Sequence, residues 1–321
     1  MTARCELCGL SGFELIATEI REGPGRICQC THCGLVIQDI AMDAEELATY
    51  YNEIYQKTNS LDSTREQSPR EHFEDRLKTI DPIVGQLRAY LHPDLTVLEL
   101  GSGTGELLYS IKPHVKSVTG IEIHKGFVEF MKGSLGIEAY AQDINDIDFG
   151  GRKYDLIVSI ATLDHLINPF ETLLKLKSLL TDDGLMYVEV PNRDEALNHY
   201  LPEPNLKAFN KFFWHKAHFY YFTADTLTKL MQKAGLSCEL SCRHEYTLHN
   251  YLNWYFRGRP QGSFVDAVTG KGLFMGNSEF EAGMNDMFNE MNERFLRLMS
   301  VTNQGDTLCC AARKHDSKGN Q

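Results

Sequence analysis

Two groups of residues in this chain combine side-chain type and spacing in ways that suit chemistry. The first is Gly101, Gly103 and Gly105, which follow the apolar run Val97-Leu98-Glu99-Leu100. Such a run turning into Gly-x-Gly-x-Gly reads as a buried parallel strand ending in a turn whose backbone must approach a ligand with no Cβ in the way. The amphipathic segment Glu106 to His114 then opens a helix, the layout of a nucleotide-type cofactor site. A dinucleotide fingerprint has its third glycine at the sixth position, but here that residue is Glu106, whose carboxylate repels phosphate. Glu99 puts a further acid inside the strand, where an apolar residue is normal, and such an acid suits a cationic ligand. A second run, from Ser117, ends in Glu122, about twenty residues after the glycines, the spacing at which a carboxylate binds ribose hydroxyls. A third, Ile137 to Tyr140, leads to Asp143 and Ile144, an acid and an apolar group suited to an adenine's edge and face.

The second group is amino-terminal. Cys5-Glu6-Leu7-Cys8-Gly9-Leu10 is echoed by Cys30-Thr31-His32-Cys33-Gly34-Leu35. Two Cys-x-x-Cys-Gly-Leu knuckles bring the thiolates of Cys5, Cys8, Cys30 and Cys33 to tetrahedral zinc reach, each glycine freeing the backbone to turn beneath the metal. The intervening stretch is somewhat long, which costs little because loop-closure entropy grows slowly. A closed four-thiolate site is structural, since catalysis needs an open position. The competing reading is a redox pair. Cys28 is the spare cysteine, and His32 lies inside the second knuckle.

The elements that must position these groups follow from periodicity. Lys153 to Ile160 and Gly184 to Asn192 read as the fourth and fifth strands, Leu236 to Tyr246 as the sixth and Asp306 to Arg313 as the seventh. Asn168, Pro169 and Glu171 suggest a helix start with a capping box, and Gly235 a helix end. Ala44 to Gln56 and Glu71 to Leu91 read as helical, with Pro82 a break and Asn59 to Ser68 a polar linker. The fold class expected is α/β, and the family resemblance set out below implies a doubly wound, seven-stranded Rossmann-like sheet, with a small zinc-binding module and a helical insertion before the last strand. The boundaries expected are 1–40 for the zinc-binding module, 41–70 for a helical linker and 71–321 for the main domain, with 247–305 as an insertion covering the substrate.

Composition narrows the functions. The 321 residues are 42% hydrophobic, enough for one large domain and a small satellite. A formal net charge of −12 argues against nucleic acid and anionic membranes as partners. Neither a membrane-length apolar run nor a signal-peptide core is present, and nine cysteines, an odd count, do not suit a disulfide framework. A cytoplasmic location is expected.

In their order, the glycine loop, Glu122, Asp143-Ile144, the Lys153 to Ile160 strand with the following Asp164-His165-Leu166-Ile167-Asn168-Pro169, and the Gly184 to Asn192 strand resemble the class I S-adenosylmethionine-dependent methyltransferases. The resemblance spans about residues 71 to 235. It implies that Gly101, Gly103 and Gly105 lie under the methionine part of S-adenosylmethionine, Glu122 holds the ribose, and Asp143 with Ile144 receives the adenine. Methyl transfer from a sulfonium is an in-line displacement, so the protein mainly aligns donor and acceptor and, for a weak nucleophile, removes its proton. Two histidines stand where the sheet's carboxyl edge is expected. His165 follows the fourth strand, and His218 lies in Phe213-Trp214-His215-Lys216-Ala217-His218-Phe219-Tyr220-Tyr221-Phe222. Each is a candidate base, His218 the preferred one, against the plainer reading of a loop-packing histidine. Tyr50, Tyr51 and Tyr55 are helix-packing aromatics that could also close over the donor.

Zinc knuckles beside such a domain resemble a narrower group, the bacterial methyltransferases of nucleotide-linked sugars and related small metabolites. Its sugar C-methyltransferases carry Tyr-His-Glu-His, with the second histidine as base; here His218 follows Ala217 in the glutamate's place. The implied function is methylation of a small molecule in polysaccharide or secondary-metabolite assembly. The alternatives are a zinc-finger-bearing RNA or protein methyltransferase and a non-enzymatic scaffold of the same fold.

Overall fold

A computed structural model describes residues 4–40, 46, 49, 50, 67–262, 267, 268, 274, 276 and 278–315. Its amino-terminal strands are β1 (Phe13–Ile20), β2 (Gly23–Cys30) and β3 (Val36–Gln38). Both knuckles fold alike. In the first, Cys5 N–H donates to Leu10 C=O at 2.9 Å and Gly9 N–H to Cys5 C=O at 2.8 Å; in the second, Cys30 N–H donates to Leu35 C=O at 2.8 Å and Gly34 N–H to Cys30 C=O at 3.0 Å. Gly9 and Gly34 take φ of +73° and +79°, a conformation that a Cβ disfavours. The repeated sequence is thus a repeated turn.

Next come α1 (Pro69–Leu77) and α2 (Asp81–Leu87), and then alternation sets in: β4 (Thr96–Leu100), α3 (Glu106–Ile111), β5 (Ser117–Ile121), α4 (Lys125–Phe130), β6 (Glu138–Tyr140), β7 (Tyr154–Ile160), α5 (Pro169–Leu179) and β8 (Leu180–Pro191). The chain continues through α6 (Asn205–Phe213), β9 (Tyr220–Tyr221), α7 (Ala224–Lys233), β10 (Leu236–Arg243), α8 (Leu248–Arg257), α9 (Glu279–Val301) and β11 (Thr307–Lys314). Seven strands form one sheet in the order β10-β11-β8-β7-β4-β5-β6, as expected. Strands β4 to β8 are parallel to their neighbours within that group, while β11 runs antiparallel to both β8 and β10.

Both faces of the central strands β4, β5 and β7 are buried, which explains why these strands are apolar almost throughout. Val97, Leu156, Val158 and Tyr187 pack with Leu107, Leu108 and Ile111 of α3 and Val128 of α4 on one face. Their sequence neighbours Leu98, Ile157, Met186 and Val188 pack with Leu173 and Leu176 of α5 and Leu227 and Leu230 of α7 on the other. Strand order reverses at β4, which sits between β5 and β7, and in open α/β sheets a crevice opens at the carboxyl ends beside such a switch.

The smaller sheet is β1-β2-β3-β9, so a strand from the second half of the chain completes the sheet of the amino-terminal module. Val36 pairs with Tyr221 and Ile37 with Tyr220. Cys5, Leu7, Cys30 and Leu35 belong to the same apolar cluster as Leu227 and Met231 of α7.

Local readings differ in places. Asn168 makes no capping bond with its side chain, and Pro169 alone marks the start of α5; the capping boxes form at Ser68 with Glu71, Thr223 with Thr226 and Ser278 with Glu281. In the 247–305 segment, Trp254 of α8 packs against Phe209 of α6, and α9 lies against β10. Of the tyrosines read on a helix, Tyr50 is helical and buried, while Tyr51 and Tyr55 lie outside the described residues.

Candidate active site

A cavity of about 290 Å³ lies at the carboxyl ends of β4, β5 and β7. Its floor is the glycine loop. Gly101 N–H donates to Ile121 C=O at 2.8 Å, and Gly103 N–H donates to the Glu122 carboxylate at 2.9 Å. The other Glu122 oxygen accepts the His124 N–H at 2.9 Å, so the acid that ends β5 ties the glycine loop to the start of α4.

All three glycines have positive φ, but each for a different neighbour. A Cβ on Gly101 would stand 2.0 Å from Thr162 Oγ1, and one on Gly105 would stand 2.8 Å from Met131 Cγ. Only Gly103 is free of close protein neighbours, its nearest being the Glu106 carboxylate at 3.6 Å. Gly101 and Gly103 line the cavity; Gly105 does not, and serves instead as the left-handed entry to α3.

Glu99, Glu122, Asp143 and Ile144 all line the cavity. Glu99 is 4% exposed, and among the described residues its Oε2 has no hydrogen-bond partner. Burial, with Glu106 and Glu122 nearby, pushes its carboxyl well above the usual range. Burial likewise pushes Glu122 up to about 7, against the lowering effect of its backbone N–H donors. Asp143 Oδ1 accepts from Asn145 N–H at 2.8 Å, which leaves its other oxygen for a ligand.

The sequence reading missed residues that reach this cavity from the far side. His72 and Arg76 of α1 line it with Thr79, Ile80 and Ile83. Among the described residues Arg76 Nε and His72 Nδ1 are buried without a hydrogen-bond partner, and burial lowers His72 to about 4. The signal was present: 72, 76, 79, 80 and 83 follow helical spacing beside the apolar stripe at Phe73, Leu77 and Leu87. A ligand fitting the unpartnered Glu99 and Arg76 carries positive charge toward Glu99, beside which Glu106 and Glu122 also line the cavity, and negative charge toward Arg76. S-Adenosylmethionine, a sulfonium with an ammonium, a carboxylate and an adenosine, meets that test.

The wall beyond β7 is the Ile160-Ala161-Thr162 turn, in which Ala161 takes φ +45°. Strain of that sort in a non-glycine residue concentrates at ligand-binding positions. It leads into a 3₁₀ turn, Leu163–His165. His165 lines the cavity, whereas His218 is not among its lining residues. The two histidines nevertheless stand together, ring centroids 4.8 Å apart, around the Asp164 carboxylate that sequence reasoning had not singled out. Asp164 Oδ2 is 3.4 Å from His165 Nε2 and 3.6 Å from His218 Nε2. Asp164 is 1% exposed, and among the described residues neither of its side-chain oxygens has a hydrogen-bond partner. Burial pushes Asp164 up to about 7, holds His165 down at about 4, and with the neighbouring His165 and His215 holds His218 well below its usual value.

At the amino-terminal module, Sγ of Cys5 and Cys33 are 3.5 Å apart and those of Cys8 and Cys30 3.7 Å. All four sulfurs lie within 4.8 Å of one another, and these cysteines are free thiols. Four soft donors converging at those separations fit a tetrahedral zinc ion. Cys28, the spare, is buried outside this set.

Comparison with known proteins agrees with this geometry. A family model described as a methyltransferase domain matches residues 71–241. A malonyl-[acyl-carrier protein] O-methyltransferase of Anoxybacillus flavithermus is 34% identical over 104 residues, 30% of this chain and 39% of that protein. An uncharacterized methyltransferase of Geobacillus is 26% identical over 181 residues, 54% and 81% of the two chains. A ubiquinone biosynthesis O-methyltransferase of Coxiella burnetii is 24% identical over 103 residues, 30% and 44%. The chain therefore spans less than half the length of two of these three relatives. Among solved structures, the magnesium protoporphyrin IX methyltransferase of Synechocystis with bound S-adenosylhomocysteine is similar at a TM-score of 0.48 and 15% identity, covering 85% of this chain and all of that one.

Proposed function

Because this chain belongs to the methyltransferase-domain family, we propose that it transfers a methyl group from S-adenosylmethionine to a small-molecule acceptor. The observation that carries the reading is Glu99, a buried carboxylate with an unpartnered oxygen, in a cavity that also holds Glu106 and Glu122. A site that desolvates two acids, Glu99 and Glu122, around one cavity favours a cation.

The donor roles of Glu122, the glycines, Asp143 and Ile144 are those the family resemblance implies, and their presence on the cavity wall, with Arg76 beside them, supports the assignment. Glu122 holds the ribose hydroxyls. Gly101 and Gly103 leave room for the methionine part, Asp143 and Ile144 receive the adenine, and Arg76 pairs with the carboxylate. When bound, the donor supplies an electrophilic methyl carbon activated by its sulfonium. The chain's own work is to fix that carbon and the acceptor in line and to exclude water. Preparation of the acceptor is assigned to the Asp164, His165 and His218 group, with His165 at the cavity wall and His218 behind it.

For the acceptor we propose a nucleotide-linked sugar or related metabolite. An acidic chain disfavours nucleic acid. The names of the O-methyltransferase relatives favour oxygen as the atom methylated. Zinc held by Cys5, Cys8, Cys30 and Cys33 is assigned a structural role, since four thiolates leave no open position.

The test is calorimetric titration with S-adenosylmethionine and its demethylated product, followed by a screen of nucleotide sugars and small metabolites for a mass gain of one methyl group. Binding of both nucleosides with methyl transfer to at least one acceptor is expected. Failure to bind either, or tight binding of NAD instead, overturns the reading.

A further inference from the structure

The Asp164, His165 and His218 group has a geometry that proton chemistry does not explain. A carboxylate buried this deeply is normally held by charge-assisted hydrogen bonds of about 2.7–2.9 Å. Here the imidazole nitrogens stand at 3.4 and 3.6 Å, and among the described residues neither carboxylate oxygen has a hydrogen-bond partner. Those separations are instead the edges of a coordination polyhedron. Ligands at about 2.0–2.1 Å from a tetrahedral ion lie about 3.3–3.4 Å from each other, and thiolates at about 2.3 Å lie about 3.8 Å apart. The cysteine cluster of this same chain provides an internal standard. Its sulfurs, at 3.5 and 3.7 Å, fall just short of the thiolate edge, and the Asp164 to histidine distances fall at or just beyond the nitrogen and oxygen edge.

We propose that Asp164, His165 and His218 form a second metal site, holding a divalent first-row transition ion of the zinc class. Two imidazoles and one carboxylate offer three ligand atoms within 4.8 Å of one another, the ligand count of a catalytic site with an open position. The ion would neutralise a carboxylate that is otherwise buried with no donor, the costly state for such a group.

The elements around it suit this use. Asp164 and His165 come from the 3₁₀ turn after β7, and His218 from the loop before β9. The turn and the loop are joined where Phe219 N–H donates to Asp164 C=O at 2.9 Å. His165 also belongs to the wall of the cofactor cavity, so an acceptor entering there reaches the ion beside the donor's expected place. This last role rests on the methyl-transfer reading; ion binding itself does not. An acceptor hydroxyl held by the ion would lose its proton to water at a lower pH. Its oxygen pair would form the new bond to the methyl carbon, and the sulfur would keep the pair of the broken carbon–sulfur bond.

The test counts ions on the full chain. Protein freed of metal is loaded with zinc or cobalt(II), desalted and measured by elemental analysis and by the cobalt absorption spectrum. About two ions per chain are expected in the wild type. Cys5→Ser should lose one ion together with the thiolate-to-cobalt band. His218→Gln should lose the other and keep that band, which also shows that the amino-terminal module remains folded. A wild type saturating at one ion per chain, its cobalt signal wholly of the thiolate type, overturns the second site, as does a His218→Gln protein that still holds two. The wild-type count decides the matter even where a variant misfolds. Titration of S-adenosylmethionine into the His218→Gln protein with its knuckle ion in place separates the two proposals, because loss of the second ion leaves donor binding in place, whereas absence of donor binding in the wild type sinks the transferase reading alone.

Discussion

Glu122 carries two loads, and replacing it with glutamine should expose both. Its two carboxylate oxygens each accept a backbone N–H, from Gly103 and from His124, both at 2.9 Å. A glutamine has one acceptor oxygen and one amide donor, so in either orientation its NH₂ faces one of those N–H groups. Leaving one buried donor unsatisfied costs roughly 1–3 kcal/mol. For a domain of this size each kcal/mol shifts the melting temperature by about 2–4 °C. The variant also loses a charged acceptor for the ribose, about 1.5–3 kcal/mol per bond, which converts to roughly a ten- to hundredfold weaker dissociation constant at about 1.4 kcal/mol per decade. Calorimetry of S-adenosylmethionine binding and a melting curve of the ligand-free protein measure the two effects separately. Wild-type affinity in Glu122→Gln refutes the ribose assignment. Weakened affinity with an unchanged melting temperature refutes the argument that this acid also holds the glycine loop.

Three further outcomes follow from the same cavity. Gly101→Ala should destabilise the fold by several kcal/mol, because its Cβ meets Thr162 at 2.0 Å, and adding Thr162→Gly should recover part of the loss; Gly103→Ala, whose Cβ meets nothing closer than 3.6 Å, should cost only the roughly 1–2 kcal/mol of a left-handed residue while weakening donor binding. Equal melting temperatures for the two single variants would show that the loop does not pack as argued. Arg76→Ala should weaken S-adenosylmethionine at least tenfold yet leave adenosine unaffected, since only the former presents a carboxylate to the unpartnered Nε; equal losses for both ligands would place Arg76 elsewhere in recognition. The folded carboxyl of Glu122 lies at about 7 against an ordinary 4.5, and Glu99 lies well above it, so the ligand-free fold is favoured by protonation and its stability should fall as pH rises from about 4.5 through 7. A sulfonium favours the ionised acids, so binding near neutral pH should release protons and tighten with rising pH; a binding enthalpy independent of buffer ionisation heat would contradict this.

What was legible in the sequence was whatever local spacing determines. The glycine loop, Glu99, Glu122 and Asp143 sit at strand ends, where one segment's pattern fixes each residue's position, and the knuckles repeat the same turn. Residues that reach the site through tertiary packing were hidden. Asp164 looked like one more loop acid because its partner His218 lies more than fifty residues away, brought close by the bond between Phe219 and Asp164. His72 and Arg76 sit on a helix read only as helical, yet the packing of α1 against α3 and α4 turns their face into a cavity wall. The glycines show the opposite effect. Their positions were readable but two of their reasons were not, since Thr162 and Met131 already forbid a Cβ at Gly101 and Gly105 before any ligand is considered.

The amino-terminal module gains a purpose from how it grips the His218 loop. Strand β3 pairs with β9, and Gln38 N–H donates to Phe219 C=O at 2.9 Å. With its amide nitrogen turned inward, the Gln38 side chain donates to the carbonyls of His215 and His218 at 2.8 and 2.9 Å. From the turn between β1 and β2, Arg21 N–H donates to Trp214 C=O at 2.8 Å, and Glu22 accepts Lys216 N–H while its other oxygen lies 3.0 Å from His215 Nε2. The loop that carries His218 is therefore held by three points of the module, and the module's own strands start and end at the cysteine knuckles. A metal that closes those knuckles would fix β3, and through it the height of His218 above Asp164. A four-thiolate site with no open position can in this way matter to the chemistry without touching a substrate.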